Sequence, residues 1–89
     1  MNNQVILIGV LVDLLLNHED YLMANIRVYR PDHKRCDLIP VQFSSIIKDY
    51  AMVALLEGYT IIIRGEIRND KNNLYVVAEK FISIGESYE

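Results

Sequence analysis

Asn3-Gln4-Val5-Ile6-Leu7-Ile8-Gly9-Val10-Leu11-Val12-Asp13 is an apolar run with one glycine at its centre. Its wealth of Val, Ile and Leu predicts a strand. Glycine weakens a strand unless the backbone bends there or another element comes close. A first strand that bends at a fixed point is what a small curled barrel requires.

Working outward, Leu14-Leu15-Leu16 extends the run until Asn17-His18-Glu19-Asp20, a polar quartet that predicts a hairpin turn. From Tyr21 to Arg30 the chain alternates. Ala24, Ile26 and Val28 share one face, with Met23, Asn25, Arg27 and Tyr29 on the other. Residues 30–37 form the main loop, with Pro31-Asp32 as its turn former. Leu38 to Phe43 predicts a third strand, with Ile39, Val41 and Phe43 facing inward. Pro40 lacks a ladder donor, so it is expected at the strand's start or at a locally unpaired position.

One helix follows. Ser44 or Ser45 is expected to cap it, and Ile47, Tyr50, Ala51, Ala54 and Leu55 fall on one stripe at helical spacing. Gly58 stands where a left-handed glycine would end it. Tyr59 to Arg68 and Leu74 to about Ile84 predict the last two strands, joined by a tight hairpin over residues 69–73. Three strands, one helix and two strands is the order of the OB-fold, an all-β five-stranded Greek-key barrel whose helix joins strands three and four. Gly9 and Gly65 are expected where strands coil sharply to close it.

The 89 residues allow one domain, expected over residues 1–85 with a short acidic end at 86–89. Apolar residues make up 52% of the chain, more than one small core can hide, which predicts an apolar surface for a partner or a second copy. Cys36 is alone and reads as a free thiol in a reducing compartment. No apolar run approaches a membrane span, and no basic segment precedes a cleavable apolar one, so a cytoplasmic location is expected. The net charge of −3 argues against indiscriminate binding of polyanions. Charge is nevertheless segregated: Arg27, Arg30, Lys34 and Arg35 cluster, Arg64, Arg68 and Lys71 form a looser group, and the acids gather elsewhere.

The sequence resembles the bacterial single-stranded DNA-binding protein family, including primosomal replication protein N. Residues 3–11 look like its opening strand, and Met23-Ala24-Asn25-Ile26-Arg27-Val28 is similar to its second-strand signature. Asp37-Leu38-Ile39-Pro40-Val41 resembles the third strand, and Leu56-Glu57-Gly58 through Arg64-Gly65-Glu66-Ile67 resembles the helix end and fourth strand. Val76-Val77-Ala78 matches the fifth. The resemblance covers nearly the whole chain and implies single-strand binding with little sequence preference, in replication or recombination, by a dimer or tetramer. The chain departs from the family in having no Trp, no aromatic among Leu38, Pro40, Gln42 and Ser44, and only a short hairpin after Arg68.

Single-strand binders combine a cationic groove with aromatic platforms, because every base has a π-face. Arg27, Arg30, Lys34, Arg35, Arg64 and Arg68 are the expected phosphate-binding residues, and Tyr29 and Tyr75 the expected stacking platforms, with Tyr21 at the edge. The plainer alternative makes them solvated strand residues. Val10, Val12, Leu14 and Ile62 are apolar at outward positions and are expected to form an intersubunit surface, the alternative being loops folded over them. His18 and His33 read as surface imidazoles and Cys36 as a half-buried thiol, with no metal-ligand spacing and no cofactor motif. No nucleophile–base pair, phosphate-cradling loop or paired carboxylate stands out, so neither an enzyme nor a small-molecule substrate is expected. A second reading makes the chain an interaction module that docks onto a replication helicase, primase or polymerase.

Overall fold

The computed structural model describes residues 3–32 and 34–86, and in it the first strand, β1 (Gln4–Asn17), has two partners. Gln4–Val10 pairs antiparallel with β4 (Tyr59–Asp70), and Val10–Asn17 with β2 (Tyr21–Tyr29). A strand that changes neighbours halfway along has to bend. Gly9, at the changeover, permits this by letting β2 come close: a Cβ there would strike the Arg27 carbonyl oxygen and lie 2.8 Å from Ile26 Cγ2. Gly65 does the same between β4 and β5 (Asn73–Glu86), where a Cβ would meet the Val77 carbonyl oxygen. Close approach of a neighbouring backbone, with φ outside the left-handed range, is therefore what both glycines serve.

β3 (Cys36–Ser44) pairs antiparallel with β2 along its whole length and parallel with β5 only over Val41–Phe43. The sheet closes as β1-β2-β3-β5-β4, the five-stranded OB barrel. Pro40 stands opposite Asn25 of β2, one residue before the parallel ladder begins, where no β5 residue pairs with it. Inward alternation then builds the core from Leu11, Leu22, Ala24, Ile26, Val41, Phe43, Ile61, Ile63, Val76 and Ala78. Phe43 meets the half-buried Phe81 edge to face, with ring centroids 5.6 Å apart.

The helix α1 (Lys48–Glu57) closes the barrel's end with Ala51 and Ala54. Two expectations are corrected here. Neither serine caps it: Ser44 still belongs to β3, its carbonyl accepts the Ile47 N–H at 3.1 Å, and Ile47 takes the capping position without a side-chain bond. Tyr50, expected on the buried stripe, is 70% exposed, while Ala51 and Ala54 enter the core and Met52 and Leu55 pack against it. Gly58 ends the helix in the left-handed conformation, φ 69°, as expected. Lys48 Nζ donates to the carbonyls of His18 (2.8 Å) and Glu19 (3.2 Å), fastening the β1–β2 hairpin to the helix start. The β4–β5 hairpin turns on Lys71 and Asn72, both at positive φ, the conformation of a two-residue type I′ turn.

Register shifts at Leu11/Asp13 and Leu14/Leu16 interrupt β1. Simple alternation puts Leu14 on the outer face with Val10, but the shift sets it opposite inward-facing Ala24, at the barrel's end, where it remains 44% exposed. Ser87, Tyr88 and Glu89 of the expected acidic end lie outside the described residues, as does His33. Glu86 is the last residue of β5.

Candidate nucleic-acid interface

The outer surface of β2 and β3 carries Tyr21, Met23, Asn25 and Arg27 beside Ser44, Gln42, Pro40 and Leu38, paired in that order. Two residues beyond Arg27, Tyr29 ends β2 on the same face. The Arg27 guanidinium lies over the Tyr29 ring, 5.5 Å from its centroid. Arg27 Nε is buried without a hydrogen-bond partner among the described residues. A buried unpaired donor on a cationic side chain is costly unless an acceptor joins it.

The β2–β3 loop holds its cations in place. Arg30 forms a two-point ion pair with Asp37, Nε to Oδ2 at 3.1 Å and Nη2 to Oδ1 at 2.9 Å. Asp32 accepts the backbone N–H groups of Lys34 (2.9 Å) and Arg35 (3.2 Å) and pairs with the Arg35 guanidinium. Hydrogen bonding from Arg30 holds the Asp37 carboxyl below its ordinary value, and the bond raises Arg30 in turn. The two backbone N–H groups, Lys34's first, hold Asp32 down likewise. These pairs are exposed, so they order the loop more than they stabilise the fold.

At the far side, Arg68 on β4 lies opposite Tyr75 on β5 and bonds Glu66 at 2.8 Å. Between β2 and the β4–β5 hairpin runs a groove of about 430 Å³ lined by Tyr21, Met23, Pro40, Gln42, Asp70, Asn73, Leu74 and Tyr75. Tyr21 is stacked on His18, centroids 5.0 Å apart. The expected residues thus divide: Arg27, Tyr29, Arg30, Lys34 and Arg35 gather at β2 and its loop, and Arg68 and Tyr75 lie across β3 from them. Arg30, Arg35 and Arg68 each already hold a carboxylate. Arg64 belongs to neither group, because it pairs with Ile6 on one side and Lys80 on the other.

That second surface, over β1, β4 and β5, is apolar. Ile8, Ile62 and Ile82 stand side by side across the three strands. Ile6, Ile8 and Ile82 are 69%, 56% and 63% exposed, Ile84 is exposed, and Val10, Val12 and Ile62 are half-buried. Ile6 and Ile8, missing from the expected interface, share the parity of Val10, so the same alternation could have found them. Of the other groove residues, Gln42 follows from the alternation that turns Ile39, Val41 and Phe43 inward, whereas Asp70 and Asn73 read only as hairpin residues.

Cys36 opens β3 and is exposed, not half-buried, because it lies beyond the core layers. Among the described residues no three His, Cys, Asp or Glu side chains could hold a metal ion, and no helix is long and apolar enough to cross a membrane.

The five-stranded barrel with its helix between β3 and β4 is that of several solved OB-fold structures. The N-terminal domain of PriB protein from Thermoanaerobacter tencongensis, solved as a dimeric structure, is similar with a TM-score of 0.75 and 24% identity, over 94% of this chain and 98% of that one. Mitochondrial single-stranded DNA-binding protein Rim1 from S. cerevisiae is similar over 100% of both chains, TM-score 0.78, at 11% identity. A small single-stranded DNA-binding protein from Mycoplasma pneumoniae matches 99% of this chain and 100% of that one, TM-score 0.73, at 16% identity. The sequence matches no family model and no curated protein.

Proposed function

We propose that this chain binds single-stranded DNA with little sequence preference, on the surface of β2 and β3, and works in replication or recombination. The observation that carries the reading is the pairing of a cation with an aromatic ring on the outer face of β2, the Arg27 guanidinium lying over the Tyr29 ring. Phosphates pair with the cations while bases stack on Tyr29 and Tyr75. Two of the similar structures are of single-stranded DNA-binding proteins, which supports a binding role over a catalytic one. A second copy of the chain covers the isoleucine surface, giving a homo-oligomer in the cytoplasm. Val10, Val12 and Ile62 then lie in or beside the contact, with Leu14 at its margin.

Titration of fluorescent oligo-dT across a salt series tests this. For single strands the logarithmic slope is about −0.7 per phosphate neutralised. Engagement of only Arg27 and Lys34, which hold no carboxylate among the described residues, gives a slope no steeper than about −1.4, whereas recruitment of Arg30, Arg35 and Arg68 as well gives about −3.5, and Arg64, on the other surface, adds nothing. No binding at low salt would overturn the reading.

One observation favours docking onto a larger replication protein. Tyr50 and Val53 on α1 line an apolar groove of about 770 Å³ with Tyr59, Phe81 and Ile82. Under that reading, substitutions in this groove abolish partner capture and leave oligo-dT binding intact.

A further inference from the structure

We propose that the groove between β2 and the β4–β5 hairpin is a base-selective pocket that takes guanine in preference to other bases. The inference rests on the single-strand reading above and sharpens it from tolerance of any sequence to one position with a preference. Tyr21 comes from β2 and Tyr75 from β5, on either side of β3, whose Pro40 and Gln42 lie between them. The Tyr21 ring is held by its stack on His18. Two aromatic walls about a shallow slot suit a flat base.

The polar groups in the slot decide which base. Asp70, Gln42 and Asn73 line it, and none of their side chains has a hydrogen-bond or ion-pair partner among the described residues. A carboxylate only accepts, so it repels the phosphate backbone and selects donors. Guanine's Watson–Crick edge offers N1–H and the exocyclic N2–H as adjacent donors, which match both carboxylate oxygens at once. Adenine and cytosine each set a ring acceptor beside their amino group, and thymine flanks its one N–H with two carbonyls. The Gln42 and Asn73 amides can donate to guanine O6. In a single strand this edge is free to be read.

Affinities for an oligo-dT 20-mer and for versions carrying one central dG, dA, dC or inosine test the proposal. The dG strand should bind about 5- to 10-fold tighter than oligo-dT, with inosine, which lacks the exocyclic amine, in between. Asp70→Asn should bring the dG-to-dT ratio to about 1, whatever its effect on absolute affinity. Equal affinity for all five strands overturns the pocket and leaves single-strand binding standing. Failure of every strand to bind removes the underlying reading and the pocket with it. Saturation by free guanosine monophosphate, without preference among the strands, assigns the groove to a mononucleotide and also overturns the inference.

Discussion

Two outward surfaces of one barrel have opposite chemistry. Over β2 and β3 lie tyrosines, an arginine stacked on one of them, and a loop whose cations are held by aspartates. Over β1, β4 and β5 lies a row of isoleucines with Arg64 and Lys80 beside it. A five-stranded barrel exposes alternate residues on every strand, so the fold imposes no such division. The sequence does, by spending isoleucine where solvent would otherwise favour polar groups. The difference teaches that one scaffold can carry a cationic, aromatic face and an apolar one, with β4 and β5 contributing to both, Arg68 and Tyr75 at one end and Ile62 and Ile82 at the other.

The sharpest way to break the contrast is to charge the apolar face. Ile8→Asp with Ile82→Asp should dissociate the oligomer, weakening each copy by about 3–6 kcal/mol from two lost burials. Light scattering or analytical ultracentrifugation checks it; an unchanged mass would show that this face is not the contact. The reciprocal change, Arg27→Ala with Tyr29→Ala, should leave the mass alone and reduce oligo-dT binding by about 2–4 kcal/mol, the loss of one charge contact and one stack. Wild-type affinity in that variant would place the DNA elsewhere on the barrel.

The smallest effect concerns the loop. Asp32 and Asp37 titrate below their unfolded value, so their contribution to loop order is complete above the ordinary carboxylate value of 3.8 and is lost as pH falls through the lowered folded values. Acidification should therefore free Arg30 and Arg35 and shift the Lys34 and Arg35 amide resonances, with the barrel core unmoved. NMR-detected midpoints at 3.8 or higher would mean that these pairs do not form in solution.

The fold was legible because alternation, the two close-approach glycines and the helix-ending Gly58 each answer to local rules. The helix start was misread because a residue caps only from the position just before the first helical turn, and the helix begins at Lys48, which puts Ile47 there and leaves Ser44 and Ser45 too early. Leu14 changed face because register shifts leave no mark in an apolar run. Of the candidate site, Arg27 and Tyr29 were readable from parity. Which arginines were already paired was not, since Arg30 meets Asp37 only when the loop closes. The groove was hidden for the same reason: Asp70 and Gln42 come together through strands distant in sequence.

The seam between β3 and β5 joins only Val41–Phe43 to Val76–Ala78, with the helix and β4 intervening in the chain. Every other strand junction is antiparallel and longer. Being the shortest junction, it has the fewest ladder hydrogen bonds to hold it against local opening. It also lies directly beside the tyrosine-walled groove, so parting this seam would separate Gln42 from Tyr75 and dissolve the groove while the rest of the barrel stayed paired.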